Sequence, residues 1–146
     1  MATHRDRAVV TPPAELLARM SVTMKTAIAP NTTGTAKPQA YMAAVVLEKL
    51  AKQLELAPAH AAQQASDAES LIADLTRLTA SLSLPDGTTA AVSGVSAACN
   101  AVSICTLVQA LYADRTLLGD DLFAALLSRV RVALRADINR RMEFSA

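Results

Sequence analysis

The sequence predicts an all-α protein, a single-domain bundle of about five helices. Apolar residues make up 52% of the 146 residues, mostly alanine, leucine and valine, whereas aromatic residues make up only 3%. Four glycines leave little room for the hairpins and tight turns of a β protein. Large apolar residues recur every three or four positions, which is the spacing of an amphipathic helix. A chain of this length fits one domain, so residues 11–146 are expected to form the bundle, after a disordered tail over residues 1–10.

The first helix is predicted to begin at Thr11-Pro12-Pro13, because threonine can cap free amides and a proline in the first turn loses no helical hydrogen bond. Its apolar stripe reaches Ile28, and Pro30 is expected to end it. The segment APNTTGTAKP, residues 29–38, has no periodicity and is predicted to be the longest internal loop. An amphipathic pattern over residues 39–56 predicts the second helix.

Pro58 is expected in the first turn of a third helix that continues to about Leu82. Its early part, AHAAQQASDAE, has almost nothing large to bury and is expected to be exposed or frayed. Residues 88–113 carry no charge, but their hydroxyl and amide side chains are too polar for a membrane span, so they are predicted to form one central core helix. Gly119-Asp120-Asp121 is predicted to open the last helix, because acidic residues favour the positive end of the helix dipole.

Charge and targeting signals narrow the classes of partner. The formal charge is only +1, so no global field attracts nucleic acid or a membrane surface, and no aromatic residues are interleaved with the basic ones for base stacking. The amino end, MATHRDRAVV, has no apolar run after its charges, so it is neither a secretory signal nor an anchor. We therefore expect a cytoplasmic protein that binds neither nucleic acid nor membrane.

No arrangement of residues indicates a catalytic, cofactor or metal site. The two histidines, His4 and His60, lack an HxxxH or ExxH neighbour, and His60 is expected to be solvated. Cys99 and Cys105 match neither a redox pair nor a zinc spacing and are predicted to be buried free thiols. No GxGxxG, GxxxxGK[ST] or GxSxG motif is present. The sequence therefore predicts a protein that is not an enzyme and that holds no cofactor.

The last helix raises one question, since Asp137 falls inside its apolar stripe and five arginines surround it. Arg131 and Arg135 lie along one edge of this stripe and Arg129 and Arg140 along the other. Arg141 follows Asp137 by four residues, within reach of a salt bridge.

Two explanations are open for these residues. In the first, the buried part of the helix ends near Leu134, Asp137 is half exposed, and the arginines favour the negative end of the dipole. In the second, the arginines flank an apolar strip that docks a partner, with Asp137 and Arg141 fixing the register, or they hold a phosphate-bearing ligand. The second explanation predicts six partner-binding residues: Arg131, Arg135, Asp137, Asn139, Arg140 and Arg141.

Three segments, together about half of the chain, resemble a family of small uncharacterised bacterial proteins that accompany aminoglycoside-phosphotransferase-like kinases and acyl-CoA dehydrogenases. They are PPAELLARM, KPQAYMAAVVLEKLAKQLEL and LVQALYADRTLLGDDLFAALLSRVRVALRADINRRM. The family pattern has an Arg/Lys-Glu-Leu segment, which KQLEL at 52–56 matches loosely. It also has a terminal Asn-Pro-Arg-Tyr motif, which DINRRM at 137–142 matches with Arg140 in place of proline and Met142 in place of tyrosine.

The resemblance implies a non-catalytic accessory subunit that binds and supports such a kinase, acting on hydroxyacyl-CoA in acid catabolism. An acyl-CoA dehydrogenase is a second candidate partner. The alternative is a helical module that binds a small apolar or CoA-linked ligand between its helices, with the methionine-rich first and second helices as walls. Met20, Met24 and Met42 stand at helical positions there, although methionines at such positions are more often core residues. A homodimer is also consistent with the sequence, because a five-helix bundle can leave one apolar stripe uncovered.

Overall fold

The computed structural model describes residues 11–143, and these residues form helices joined by short turns, without a strand. Its elements are α1 (Pro13–Thr23), a π-helical turn (Met24–Ile28), a 3-10 turn (Ala29–Asn31), α2 (Ala36–Thr79), α3 (Asp86–Ala97), α4 (Ala101–Ala113), α5 (Arg115–Leu118) and α6 (Asp120–Glu143). The predicted all-α bundle is confirmed. The predicted tail, residues 1–10, lies outside the described residues.

Contacts group the chain into two compact units, the amino-terminal unit (residues 11–59) and the carboxy-terminal unit (His60–Glu143). In the amino-terminal unit the buried residues are all small: Ser21, Ala29, Ala40, Ala44 and Ala51. Ser21 Oγ donates a hydrogen bond of 2.8 Å to the Ala44 carbonyl, and Lys25 pairs with Glu48. Small buried residues let the helices approach closely, and the larger apolar side chains remain at the surface of this unit.

Helix α1 begins with Pro13 in its first turn, as predicted, but Thr11 does not cap it. The N-cap residue is Pro12, and no side chain caps the helix. The predicted loop over residues 29–38 is also too long, because the 3-10 turn includes Pro30 and α2 already begins at Ala36. Pro38 lies in the first turn of α2, where amides have no helical partner, so it does not delay the helix.

The predicted second and third helices are one helix, and the predicted break at Pro58 is wrong. Helix α2 runs for 44 residues with Pro58 inside it, and it ends at Thr79 rather than at Leu82. Proline removes one helical hydrogen bond, but its φ is already near the helical value. Alanines on both sides of Pro58 favour the helix, so the helix continues through this position.

The carboxy-terminal unit contains a core of large apolar side chains. The second part of α2 contributes Leu71 and Leu75, and α3, α4 and α6 contribute the rest. The other core residues are Ala91, Val95, Leu107, Leu111, Phe123, Leu126, Leu127 and Val130. These residues form the interior of a four-helix arrangement, to which α6 contributes a buried apolar face from Phe123 to Val130.

The uncharged segment over residues 88–113 is two helices rather than the predicted single core helix. Asn100 has extended backbone angles and separates α3 from α4. Its side chain accepts a hydrogen bond of 3.0 Å from the Ser103 amide, and Ser103 Oγ accepts one of 3.0 Å from the Asn100 amide. This reciprocal capping box satisfies free amides at the start of α4 and so stabilises a new helix that begins after Asn100.

Asp114, at the end of α4, caps the start of α3. Its Oδ2 accepts hydrogen bonds from the Thr88 amide, at 3.0 Å, and from the fully buried Thr88 hydroxyl, at 2.7 Å. A Cβ atom on Gly87 would lie only 3.1 Å from the same oxygen. The glycine therefore leaves space for the carboxylate, which also sits at the positive end of the α3 dipole.

The last helix begins at Asp120, as predicted, after Gly119. Gly119 has φ of +79°, a value that favours glycine. Arg115 lies 2.9 Å from Asp120 Oδ1 and 5.0 Å from the centre of the Phe123 ring. These contacts fix the turn between α5 and α6.

The prediction that both cysteines are buried is wrong for Cys105. Cys105 is exposed, since α4 turns Leu107 and Leu111 toward the core and Cys105 away from it. Cys99 is partly buried, and this burial raises the pKa of its thiol. Both thiols are free, as predicted.

Candidate functional site

Helix α6 carries the six predicted partner-binding residues, and the structure separates them into two groups. Asp137, Arg140 and Arg141 belong to an ion-pair cluster that involves α2. Arg131, Arg135 and Asn139 are exposed.

Arg140 is the centre of the first group, because only 8% of its surface is exposed. Its Nη1 donates a hydrogen bond to Asp67 Oδ2 of α2, and its Nη2 lies 3.6 Å from Asp137 Oδ1. The predicted salt bridge is also present, with Arg141 Nη2 2.8 Å from Asp137 Oδ2. We call Asp67, Asp137, Arg140 and Arg141 the Asp67–Arg140 cluster.

The cluster explains why a carboxylate interrupts the apolar stripe. Asp137 is about one-third exposed, close to the half exposure that the first explanation predicts, but burial does not end near Leu134, because Arg140 lies farther along α6 and is buried. A buried guanidinium needs carboxylates close by, and Asp137 supplies one of them. Arg140 therefore lies inside the buried face rather than at its edge.

Further polar pairs join α2 and α6. His60 Nε2 lies 2.7 Å from Glu143 Oε2, and Arg129 Nε lies 3.6 Å from Asp74 Oδ2. His60, Asp67 and Asp74 are seven residues apart, which places them on one face of α2. The prediction of a solvated His60 is wrong, since only 13% of its side chain is exposed.

Asp74 also accepts a hydrogen bond of 2.7 Å from Arg77 Nη2. That hydrogen bond, with the nearby charge of Arg129, lowers the pKa of the Asp74 carboxyl. Asp74 is therefore held as a carboxylate between two arginines, in keeping with a role in joining α2 to α6.

A cleft of about 110 Å³ lies beside the Asp67–Arg140 cluster, with Leu71, Cys99, Asn100 and Ile104 among its lining residues. This volume is below the roughly 300 Å³ at which small-molecule sites begin. Arg140 and Arg141 already face Asp67 and Asp137, and a phosphate here would meet two carboxylates. The geometry therefore disfavours a phosphate-bearing ligand at this position.

The second group lies on the outer surface of α6. Arg131, Arg135, Ile138 and Met142 are exposed and follow one another by four, three and four residues, so they form one stripe along the helix. We call these four residues the α6 outer stripe. Leu134 and Asn139, both exposed, flank it.

The arginines of this stripe differ from the other arginines of α6. Arg129, Arg140 and Arg141 each pair with an aspartate. Within residues 11–143, by contrast, neither Arg131 nor Arg135 has a carboxylate within salt-bridge distance. The α6 outer stripe therefore combines two uncompensated positive charges with exposed apolar side chains.

A second candidate surface is a groove of about 400 Å³ in the amino-terminal unit. Met20 and Met24 line it, together with Leu16, Arg19, Thr23, Ile28 and Leu47. Two of the three predicted methionine walls are thus present in one groove. Met42 is not among the lining residues, since it is exposed elsewhere on α2.

Sequence reasoning missed two residues that organise these sites, Asp67 and Asp114. The seven-residue spacing of His60, Asp67 and Asp74 could have indicated Asp67, because it places three polar side chains on one face of a helix. Such a face suits packing against the arginine-rich last helix. No local pattern identifies Asp114 as the cap of α3, since Thr88 is 26 residues away.

Within residues 11–143, no helix is both long enough and apolar enough to cross a bilayer. Nor do residues 11–143 bring together three His, Cys, Asp or Glu side chains that could hold a metal ion.

Comparison of the whole chain with models of protein families, with curated proteins and with solved structures finds no match in any of the three.

Proposed function

We propose that this chain is a non-catalytic accessory subunit that binds a partner protein through the α6 outer stripe. One observation carries the proposal: in this stripe, two arginines without a carboxylate partner, Arg131 and Arg135, lie beside the exposed apolar side chains of Ile138 and Met142. The opposite face of α6 packs against the core and carries the Asp67–Arg140 cluster, so the stripe lies on the outer side of the helix.

The composition of the stripe supports this role. Arginine and methionine are enriched in protein interfaces, and arginine is among the residues whose removal costs most binding energy. The partner that fits this surface presents an apolar ridge with two carboxylates beside it. Such carboxylates would gain charge-assisted hydrogen bonds from the two guanidinium groups.

The resemblance of the α6 segment supports one class of partner. We propose that the partner is an aminoglycoside-phosphotransferase-like kinase that acts on hydroxyacyl-CoA in acid catabolism. An acyl-CoA dehydrogenase is the second candidate. The proposed role of this chain is to support the kinase without contributing catalytic groups.

The test is a binding measurement between the purified chain and such a kinase from the same organism, with kinase activity assayed in the presence and absence of the chain. The expected result is a stable complex and a higher rate. Arg131→Glu/Arg135→Glu is expected to weaken binding by roughly a hundredfold or more, because it places like charges opposite carboxylates.

The matched control is Arg19→Glu/Lys37→Glu, which changes the charge by the same amount at two exposed residues of the amino-terminal unit. This control should bind like the wild type. Equal loss of binding in both variants would show that net charge, and not the α6 outer stripe, determines association. No complex with either class of enzyme would remove the proposed function.

The groove lined by Met20 and Met24 favours a second candidate function, the binding of a small apolar or CoA-linked ligand. Its volume of about 400 Å³ falls within the usual range of ligand sites. A thermal-shift measurement with acyl-CoAs of increasing chain length tests it, since a ligand that binds the folded state raises the melting temperature. No shift with any acyl-CoA at millimolar concentration would rule it out.

A further inference from the structure

The middle of helix α2 has no buried face, because none of the described residues 52–70 is buried. Ala51 is the last buried residue of α2 in the amino-terminal unit, and Leu71 is the first in the carboxy-terminal unit. A helix in a folded protein gains most of its stability from packing an apolar face rather than from its own hydrogen bonds. The middle of α2 therefore lacks the support that its two ends have.

Pro58 lies within this exposed part of the helix. Proline has no amide hydrogen, so the carbonyl of Leu54, four residues earlier, loses its helical donor, and the proline ring crowds the same carbonyl. Proline also disfavours the α conformation at the residue before it, here Ala57. These separate costs all fall on one turn of α2, residues 54–58.

The side chains around this turn are loosely packed. Leu17 of α1 lines a groove of about 470 Å³ together with Leu54 and Ala57, so the contact between the two helices is incomplete here. After the proline, His60 Nε2 lies 2.7 Å from Glu143 Oε2 of α6, and this pair holds only the second part of α2. The turn itself therefore depends mainly on its own backbone hydrogen bonds.

The division of the chain into two compact units falls at the same place. The boundary lies between Ala59 and His60, directly after the turn that contains Pro58. Hinges in proteins are a few residues at the ends of packed elements, which absorb a change in backbone direction. In this chain the packing ends and begins again within one continuous helix.

We infer that residues 54–59 are a hinge, at which α2 opens locally and bends about Pro58 while the parts on either side remain helical. We call these residues the α2 hinge. Sharp bends in helices occur mostly at prolines. Local opening is favoured where few apolar contacts are buried, and the α2 hinge buries none of its residues. The inference concerns α2 alone and does not rest on the proposed function of the α6 outer stripe.

Local opening is tested by the hydrogen exchange of single amides in the full chain, measured by nuclear magnetic resonance. The amides of residues 59–62 donate to carbonyls of the turn at Pro58, so they should be at least roughly tenfold less protected than those of Leu71 and Leu75 in the same helix. Pro58→Ala restores the missing helical hydrogen bond. It should therefore slow the exchange of amides 59–62 by at least roughly tenfold.

The matched control is Pro38→Ala, at a proline in the first turn of the same helix, where no helical hydrogen bond is lost. It should leave the exchange of amides 59–62 unchanged. The inference is overturned if these amides are as protected as those of Leu71 and Leu75. It is also overturned if Pro58→Ala slows all amides of the chain equally, because the opening would then be unfolding of the whole protein.

Bending is tested by the distance between two spin labels on α2, attached through Val45→Cys/Ser66→Cys in a chain without its native cysteines. Both positions are exposed and lie on opposite sides of the α2 hinge, about 30 Å apart in a straight helix. The distribution of distances should be at least roughly twice as broad with Pro58 as with Pro58→Ala, and Pro38→Ala should not narrow it. Equal widths in all three chains would overturn the hinge.

Discussion

Arg140 is buried near the end of α6 and neutralises carboxylates from two helices, Asp67 of α2 and Asp137 of α6 itself. The side chains of these two aspartates are about one-third exposed, at 33% and 32%, so water still solvates part of each charge. Removing Arg140 therefore leaves two partly buried carboxylates close together. The remaining repulsion and lost packing should destabilise the fold.

Arg140→Ala is expected to lower the free energy of unfolding by about 2–3 kcal/mol, less than the loss for a fully buried pair because of this partial exposure. Urea unfolding followed by circular dichroism measures the change. Arg141→Ala, at an arginine whose side chain is 74% exposed, should cost under about 1 kcal/mol. Adding Asp67→Asn to Arg140→Ala should restore part of the loss. A similar cost for both arginines would contradict the structural role of Arg140.

Asp114→Ala is expected to cost about 1.5–3 kcal/mol, because it removes the cap of α3 and leaves the buried Thr88 hydroxyl without its acceptor. Both hydrogen bonds reach the same oxygen, which an asparagine can also supply. Asp114→Asn should therefore cost under about 1 kcal/mol, mainly from the lost interaction with the helix dipole. Thermal unfolding of the two variants measures the difference, and equal losses would show that the charge, not the acceptor, is what matters.

At the scale of helices, the boundaries depend on capping groups and on tolerated prolines. The reciprocal capping box of Asn100 and Ser103 was readable in the sequence NAVS, but the absence of charge over residues 88–113 favoured one core helix. The uncharged segment thus concealed a helix boundary, whereas Pro58 suggested one that does not exist, because α2 continues through this proline. The helical state of residues 39–56 and the start of α6 just after Gly119 were predictable, because apolar periodicity and dipole charges are local features.

Pro58→Ala is expected to raise the free energy of unfolding by about 2 kcal/mol. It restores one helical hydrogen bond and removes the ring's clash with the preceding turn, and the gain is reduced by the greater freedom of the unfolded chain. Chemical unfolding with circular dichroism measures the gain. Ala57→Gly serves as the control, and it should cost about 0.5–1 kcal/mol if α2 is continuous. If a boundary existed at Pro58, glycine at 57 would be nearly neutral and Pro58→Ala would bring no gain.

At the scale of the whole molecule, large buried side chains are concentrated in the carboxy-terminal unit. The core of Leu75, Leu107, Leu111, Leu126 and Val130 is fully buried there, whereas the amino-terminal unit buries only alanine and serine. Because apolar burial supplies most of the stabilisation of a fold, the two units should differ in local stability.

Hydrogen exchange measured by mass spectrometry should show this difference. In the wild-type chain, amides of α1 should exchange at least roughly tenfold faster than those of α4 and of α6 from Phe123 to Val130. Uniform protection across both units would contradict this distribution of stability.

The sequence by itself determined the helical class, the apolar face of α6 and the position of its first turn, because these depend on residues within a few positions of each other. It also placed Asp137 on the inner face and paired it correctly with Arg141. Only the tertiary structure decided which arginines serve the fold and which face outward. Arg140 is separated by 73 residues from Asp67, and a local pattern cannot show that two such distant charges meet. The same folding leaves Arg131 and Arg135 without a carboxylate among residues 11–143, and on this the proposed function rests.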